Sequence, residues 1–306
     1  MNWGLFAVTI IDGLSFGAIY ALIALGYTMV YGIAKMLNFA HGDVIMVGAY
    51  VIYIVLTSIV NLFGNFWISV AVALLAAIVI CTILGVSIER FAYRPLRSAS
   101  PLAVLITAIG VSYLLQGLAQ LIFGADTKNV TILQKLGNLN LFGIKVQWSS
   151  VITLLFGAAL MIALTLFVKK TRTGRAMLAV SEDRGAAQMM GVNVNRIIAI
   201  TFGIGSFLAA FASFFYMPKS PVEPTLGSLP GIKAFAAAVI GGIGSIPGAM
   251  LGGVLLGLIE VICSSNLFGL LPGLSSFTTA VEFSTLILIL MVRPTGLLGK
   301  KRRVKV

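Results

Sequence analysis

Four carboxylates, Asp12, Asp43, Glu260 and Glu282, lie in or beside apolar runs long enough to cross a bilayer. An ionised side chain at the centre of the hydrocarbon costs about 2.5–3.5 kcal/mol or more, so such residues are functional by default, as a proton or cation site or as the polar wall of a path. Asp43 follows Asn38 and His41 at the inner mouth of the second apolar run. That trio could form a gate, a hinge or part of a path; the plain alternative is a hydrogen-bonded cap, with Asp43 at the positive end of its helix. Asp12 stands deeper in its run, beside Gly13 and Ser15, and suits a watery path better, whereas Glu260 could instead mark an outer helix end. His41 is the only histidine, and Cys81 and Cys263 sit inside apolar segments, so neither a multi-histidine metal site nor a disulfide framework is indicated. A Ser245–His41 dyad is the remaining catalytic option. The surrounding "GIGSIPG" reads as a turn and nothing is placed to orient the imidazole, so no catalytic residue is assigned. "GGIGS" lacks the lysine of a phosphate-binding loop, and "GKK" at Gly299 lacks its spacing and its Ser/Thr, so no ATP site is visible.

A second concentration of polar residues is "AVSEDRGAAQMMGVNVNRI", from Ala179 to Ile197. Ser181 is the predicted N-cap, Glu182 and Asp183 occupy the first turn at the positive end of the macrodipole, Arg184 follows, and Gly191 supplies a left-handed stop. The result is a short helix, below the ~12–15 residues that persist alone in water, so it must dock on something. Ala186, Met189 and Met190 share one face, and Ala187 lies within the same stretch. Either the helix lies on the ends of its own bundle or it seats in a partner.

The elements that position these residues are membrane spans. Of 306 residues, 59% are hydrophobic and 10% charged, far below the ~25% charged of a soluble domain. Runs near 5–30, 44–60, 66–88, 101–123, 149–168, 197–217 and 279–293 each approach the ~20 residues a crossing needs. The stretch from Gly231 to Cys263 holds two more passages joined at "GGIGSIPG"; the first, Ile232 to Ile240, is too short to cross and reads as a broken or re-entrant element. The expectation is therefore an all-α polytopic bundle of nine crossings, one transmembrane domain over 1–306, beginning with a retained first helix rather than a cleaved signal. Gly13/Gly17, Gly248/Gly252 and Gly253/Gly257 are spaced for close helix packing, and Gly241, Gly242, Gly244 and Pro247 mark the break. Glycine-rich breaks at "NFAHGDVIMVGAY" and "GGIGSIPGAMLGG" could be corresponding places of an internal repeat, a pointer to a midplane substrate site.

Charge sets the orientation. Segments 31–43, 89–100, 169–196 and the tail from Arg293 hold 16 of the 21 Lys and Arg; Lys128, Lys135, Lys145, Lys219 and Lys233 fall on the other face. The positive-inside rule then puts the N-terminus outside and the C-terminus inside. The net charge of +12 is accounted for by topology and anionic lipid, not nucleic acid.

"GAIYALIALGYTMVYGIAKMLNFAHGDVIMVGAY", "IERFAYRPLRSAS", "IKAFAAAVIGGIGSIPGAMLGG" and the ending "RPTGLLG" resemble the LivH-type branched-chain amino acid ABC permeases over essentially the full chain. "GAAQMMG" is similar to the "EAA---G" loop of ABC importer permeases, with Gly185 at the usual Glu position and without the downstream "I-LP". The resemblance implies a multi-pass permease of the bacterial inner membrane that moves Leu, Ile and Val. It also implies that the Ser181–Gly191 helix docks on an ATPase subunit. The implied partners are a second homologous permease, two cytoplasmic ATPases that hold ATP and Mg²⁺, and a periplasmic binding protein; this chain itself carries no cofactor and is not an enzyme. Urea and short-chain amide permeases share the framework. On an apolar route for a zwitterionic amino acid, Asp12, Ser15 and Asn38 could supply polar groups. An ion-coupled carrier using Asp12, Asp43 or Glu260, without any ATPase, is the alternative machine.

Overall fold

Long apolar runs become helices because lipid offers backbone N–H and C=O groups no partners, and a helix satisfies them internally. The computed structural model describes residues 3–63, 66–97, 99–130, 137–141, 144–265 and 274–299; Lys135 and the basic tail beyond Gly299 lie outside them. Helices α1 (Trp3–Ala34), α2 (His41–Phe63), α3 (Phe66–Ile88, prolonged by a π turn Glu89–Tyr93) and α4 (Pro101–Phe123) come first. A small hairpin, β1 (Asn138–Leu141) and β2 (Ile144–Gln147), leads into α5 (Trp148–Lys170). Two short helices, α6 (Arg172–Glu182) and α7 (Arg184–Met189), precede α8 (Val194–Tyr216). The chain ends with α9 (Ser228–Gly241), α10 (Ile246–Ser264) and α11 (Thr278–Val292). Among the described residues, eight helices are long and apolar enough to cross a membrane, and α9 is a ninth, shorter one.

The glycine pairs read from the sequence build the seam between α1 and α10. A Cβ on Gly257 would lie 2.1 Å from the Gly17 nitrogen, one on Gly253 2.4 Å from the Ala21 backbone, and Gly13 faces Leu258. Backbones this close pack by van der Waals contact, the main association force where both surroundings and side chains are apolar. On the far side of α10, Gly252 meets Ala237 and Gly248 meets Gly241 of α9. The buried centre is α1, α2, α8 and α9, with Ile19 to Leu25 fully enclosed; α3, α4, α5 and α11 turn much of their apolar surface outward.

Both interruptions of regular helix point inward. His41 does not sit at the membrane mouth: its imidazole fills the space over Gly26 and lies beside Gly205. Gly26 is eight residues from the end of α1, so α2 starts roughly 12 Å inside that end. Lys35, with φ of 54°, turns the chain back into the bundle. From the other side, α9 begins with Gly227 packed on the Gly42 backbone, and its 14 residues span only about 21 Å. The short passage expected at Ile232–Ile240 is therefore real but starts four residues earlier, at the bundle's centre. The sequence placed the second break at "GGIGSIPG"; the break that meets the start of α2 is upstream, at Gly227. Gly241 to Gly244 instead lie at the helix end, where Gly242 (φ 102°) packs against Gly299 and the Leu297 and Leu298 amides bond to Ile240 and Gly241. Pro247 opens α10 in its first turn after the Ser245 cap.

The basic segments gather at one end. Arg184 donates to the Ala34 carbonyl, Arg97 bonds Asn195 and pairs with Glu89, and Gly244 lies over Gly32. Lys128, bridged to Val222, and Lys219, bonded to Ser15, lie at the opposite end.

Candidate functional site

The short polar helix is present, with its start displaced. Thr171 caps α6, accepting from the Gly174 amide at 3.0 Å, and α6 continues to Glu182. Ser181 is therefore not an N-cap: its hydroxyl bonds back to the Leu178 carbonyl at 2.7 Å, which satisfies it within the helix. Asp183 is the cap, extended at φ −150°, accepting from the Ala186 amide at 3.0 Å. The helix so begun, Arg184–Met189, has six residues and stops at Gly191, where φ of +82° gives the left-handed turn expected there. Ala187 is 4% exposed and packs inward, while Met189 and Met190 are 89% and 84% exposed. Ala187 thus seats the helix on its own bundle, and the methionines face away. Beside them Gln188, Gly191, Val192 and Asn193 line an open groove of about 480 Å³.

Two contact chains, one from this helix and one from the start of α8 that follows it, reach the re-entrant segment before α2. Arg184 holds the last turn of α1 through Ala34, one residue before the Lys35 reversal; burial, with Arg97 nearby, pulls its guanidinium below its ordinary pKa. Asn195, at the start of α8, holds Arg97, which pairs with buried Glu89 in the turn that carries Tyr93; the Tyr93 hydroxyl donates to Asn38 Oδ1 at 2.9 Å. The motif "IERFAYRPLR" is thus a strut between the start of α8 and Asn38.

Beyond Asn38 the re-entrant segment reaches the centre. Tyr27 packs edge-on against His41 at 4.9 Å between ring centroids, and Phe235 touches both Tyr27 and Phe39. These rings pack as an aromatic plug around His41, two residues before Asp43. Asp43 lies in the first turn of α2, as a cap reading requires, and accepts from Gln116 Nε2 at 2.8 Å. Asp12 and Ser15 do not join this group. Asp12 accepts from Ser150 at 2.6 Å and Ser15 from Lys219 at 2.8 Å, at the other end of α1. From Asp12 to Gly26, beside His41, is 14 residues, roughly 21 Å of helix. Lys219 also lies 3.9 Å over the Phe16 ring, and burial pushes its ammonium down to about 8 against the opposing pull of Asp12 and Glu260. Ser245 and His41 form no dyad: Ser245 accepts from the Gly248 amide at 3.2 Å at the basic end, while His41 packs on Tyr27.

Sequence reading missed a buried charge triad. Lys233 is not a loop residue; it lies inside α9, 7% exposed, with Nζ 2.8 Å from Glu260 Oε1 and 3.2 Å from Glu282. Glu260 lies four residues before the end of α10, near a helix end as the sequence suggests, and also anchors the half-helix α9. A lysine inside the apolar run "GIKAFAAAVIGG" was the available signal, since intramembrane charges pair with one another.

A family model described as branched-chain amino acid transport system permease component matches residues 9–292. The high-affinity branched-chain amino acid transport system permease protein BraD of Pseudomonas aeruginosa is 42% identical over 97% of each chain. LivH of Escherichia coli K12, described in the same words, is 41% identical over 96% of each. An ABC transporter of metal-chelate type in an inward-facing conformation shares the fold at 16% identity, with a TM-score of 0.52 over 94% of this chain and 88% of that one.

Proposed function

This chain belongs to the branched-chain amino acid transport system permease family, and from that premise we propose that it is the membrane-spanning permease subunit of an ATP-driven importer of leucine, isoleucine and valine. It resides in the bacterial inner membrane with its basic end in the cytoplasm, N-terminus out and C-terminus in, as the positive-inside rule reads the charge distribution. It carries no catalytic chemistry. Two cytoplasmic ATPase subunits hold ATP and Mg²⁺, a second homologous permease completes the route, and a periplasmic binding protein delivers the amino acid.

The single observation that carries this reading is the helix Arg184–Met189 with its capping residue Met190: Met189 and Met190 are presented outward, while Arg184 ties the helix to the last turn of α1. Exposed methionines suit an adaptable docking contact. When the ATPases close on ATP, they bind one permease conformation better than the other, and that difference in affinity shifts the equilibrium. The displacement enters through Arg184 and Asn195, passes to Ala34 and Asn38, and moves the segment 35–43 that supports the aromatic plug.

The test is reconstitution in vesicles with the ATPase subunits and the binding protein. Leucine-loaded binding protein stimulates ATP hydrolysis and uptake requires ATP, whereas urea or acetamide with the same components does neither. Leucine uptake that persists without the ATPase subunits would overturn the reading.

A further inference from the structure

Among the described residues, the ion pairs join Arg97 to Glu89 and Lys233 to Glu260 and Glu282. Asp43 is in none of them, although it is 1% exposed and lies in a membrane-crossing helix. A buried carboxylate without a counter-charge is costly to keep ionised, and a cation brought to it is strongly held. Its hydrogen-bond partners are neutral: Gln116 Nε2 lies 2.8 Å from Asp43 Oδ1 and also reaches Ser228 at 3.1 Å and Ser112 at 3.2 Å, and the Ser112 side chain bonds the carboxylate as well. Three elements, α2, α4 and the start of α9, therefore meet at the Gln116 amide, with the Asp43 carboxylate on one side of it.

A separate observation points to a ligand. Tyr50 is seven residues beyond Asp43, on the same face of α2. It is 2% exposed and its hydroxyl has no hydrogen-bond partner. Its ring stacks at 4.3 Å on Phe123, which stands seven residues beyond Gln116 on α4, so Tyr50 lies along the same seam as the Asp43–Gln116 pair. A phenol buried without a partner leaves a donor for something that arrives. Next to Ser228, Leu229 and Ile232 are exposed and apolar, and the start of α9 presents a positive helix end. Tyr27, His41 and Phe235 close the seam on the basic side.

We propose that Asp43 is the station at which the permease itself holds the α-ammonium group of its amino acid, midway through the membrane. The ammonium takes the place of the Gln116 amide on the carboxylate, Tyr50 donates to the ligand's polar end, the start of α9 faces its carboxylate, and Leu229 and Ile232 meet its aliphatic side chain. The inference rests on the reading of this chain as an amino acid permease.

Two substitutions test it in the reconstituted complex. Asparagine keeps a side-chain oxygen that accepts from Gln116 while removing the charge, so if Asp43 serves only as a hydrogen-bonded end of α2, Asp43→Asn takes up leucine within about twofold of the wild type. If its charge holds the ammonium, uptake falls about tenfold or more, in line with the loss of one charge-assisted hydrogen bond, with binding-protein affinity for leucine unchanged. Gln116→Lys places a tethered ammonium on the same carboxylate. A capping role predicts a stabilised, active subunit, whereas occupation of the station predicts a stable subunit with uptake lost. Should Asp43→Asn fail to assemble, Gln116→Lys decides alone. Near-normal uptake in either assembled variant overturns the station. Failure of the wild-type complex to take up leucine would instead strike the functional reading beneath it.

Discussion

Aspartate at both Met189 and Met190 is expected to abolish ATP-driven leucine uptake, by about 100-fold or more, in a subunit that still inserts and folds. Fully burying a methionine side chain stabilises a contact by about 1.5–3 kcal/mol, so losing two and desolvating two carboxylates removes the affinity that holds an ATPase groove on the helix. Because the two side chains are 89% and 84% exposed in the isolated subunit, their replacement disturbs nothing within it. Uptake into vesicles and co-purification of the ATPase subunits are the readouts. Both fall together if the methionines are the seat, and normal values of both would exclude it. Ala187 is the wrong residue for this purpose. The sequence suggests it as part of the docking patch, but at 4% exposure it holds the helix onto its own bundle. A bulky charge there unseats the helix and lowers stability and uptake alike.

The second large effect belongs to Lys233. Lys233→Met is expected to destabilise the subunit by about 3 kcal/mol, because it strands the buried Glu282 carboxylate beside the partly buried Glu260. Lys233 Nζ lies 2.8 Å from Glu260 and 3.2 Å from Glu282, so one ammonium offsets two negative charges and ties α9 to α10 and α11. Its α9 is too short to be held by the bilayer on both sides, which makes this anchor matter more than in a full span. Thermal unfolding of the purified subunit should show the loss as a markedly lower midpoint. Adding Glu260→Gln and Glu282→Leu to Lys233→Met should restore most of it, since removing a whole buried charge group is often neutral. An unchanged midpoint in Lys233→Met alone would show that the triad contributes nothing.

Much of this architecture is legible in the sequence because bilayer physics leaves few choices. Helix α4 runs over Pro101–Phe123, the span expected from hydropathy, and the glycine pairs of α1 and α10 pack as their spacing suggests. The left-handed stop at Gly191 follows from residue type alone. What local reading could not decide was which of several adjacent cappers acts. "SEDR" offers both Ser181 and Asp183, and the choice falls to Asp183 because α6 runs on from Thr171 through Ser181. Depth was equally hidden. His41 reaches the centre only because Gly26 and Gly205 leave room for its ring, and those residues are 15 and 164 positions away. Asp12 and Ser15 are polar for a local reason, pairing with Ser150 and Lys219, and their distance from Asp43 emerges once α1 is laid out at full length. The triad is the same lesson in charge. Lys233 and Glu282 are 49 residues apart and meet only when α9 and α11 stand side by side.

The proposed entry point for force from a separate ATPase is the helix Arg184–Met189. Its most direct test is a cross-link from Met190→Cys to the ATPase subunit in a transporting complex, for which the background is low because the native Cys81 and Cys263 are both buried. A single cross-linked permease–ATPase product is expected, with a yield that differs between the nucleotide-free and ATP-bound states. A complex that imports leucine at the wild-type rate yet gives no such product from Met190→Cys or Met189→Cys would contradict it.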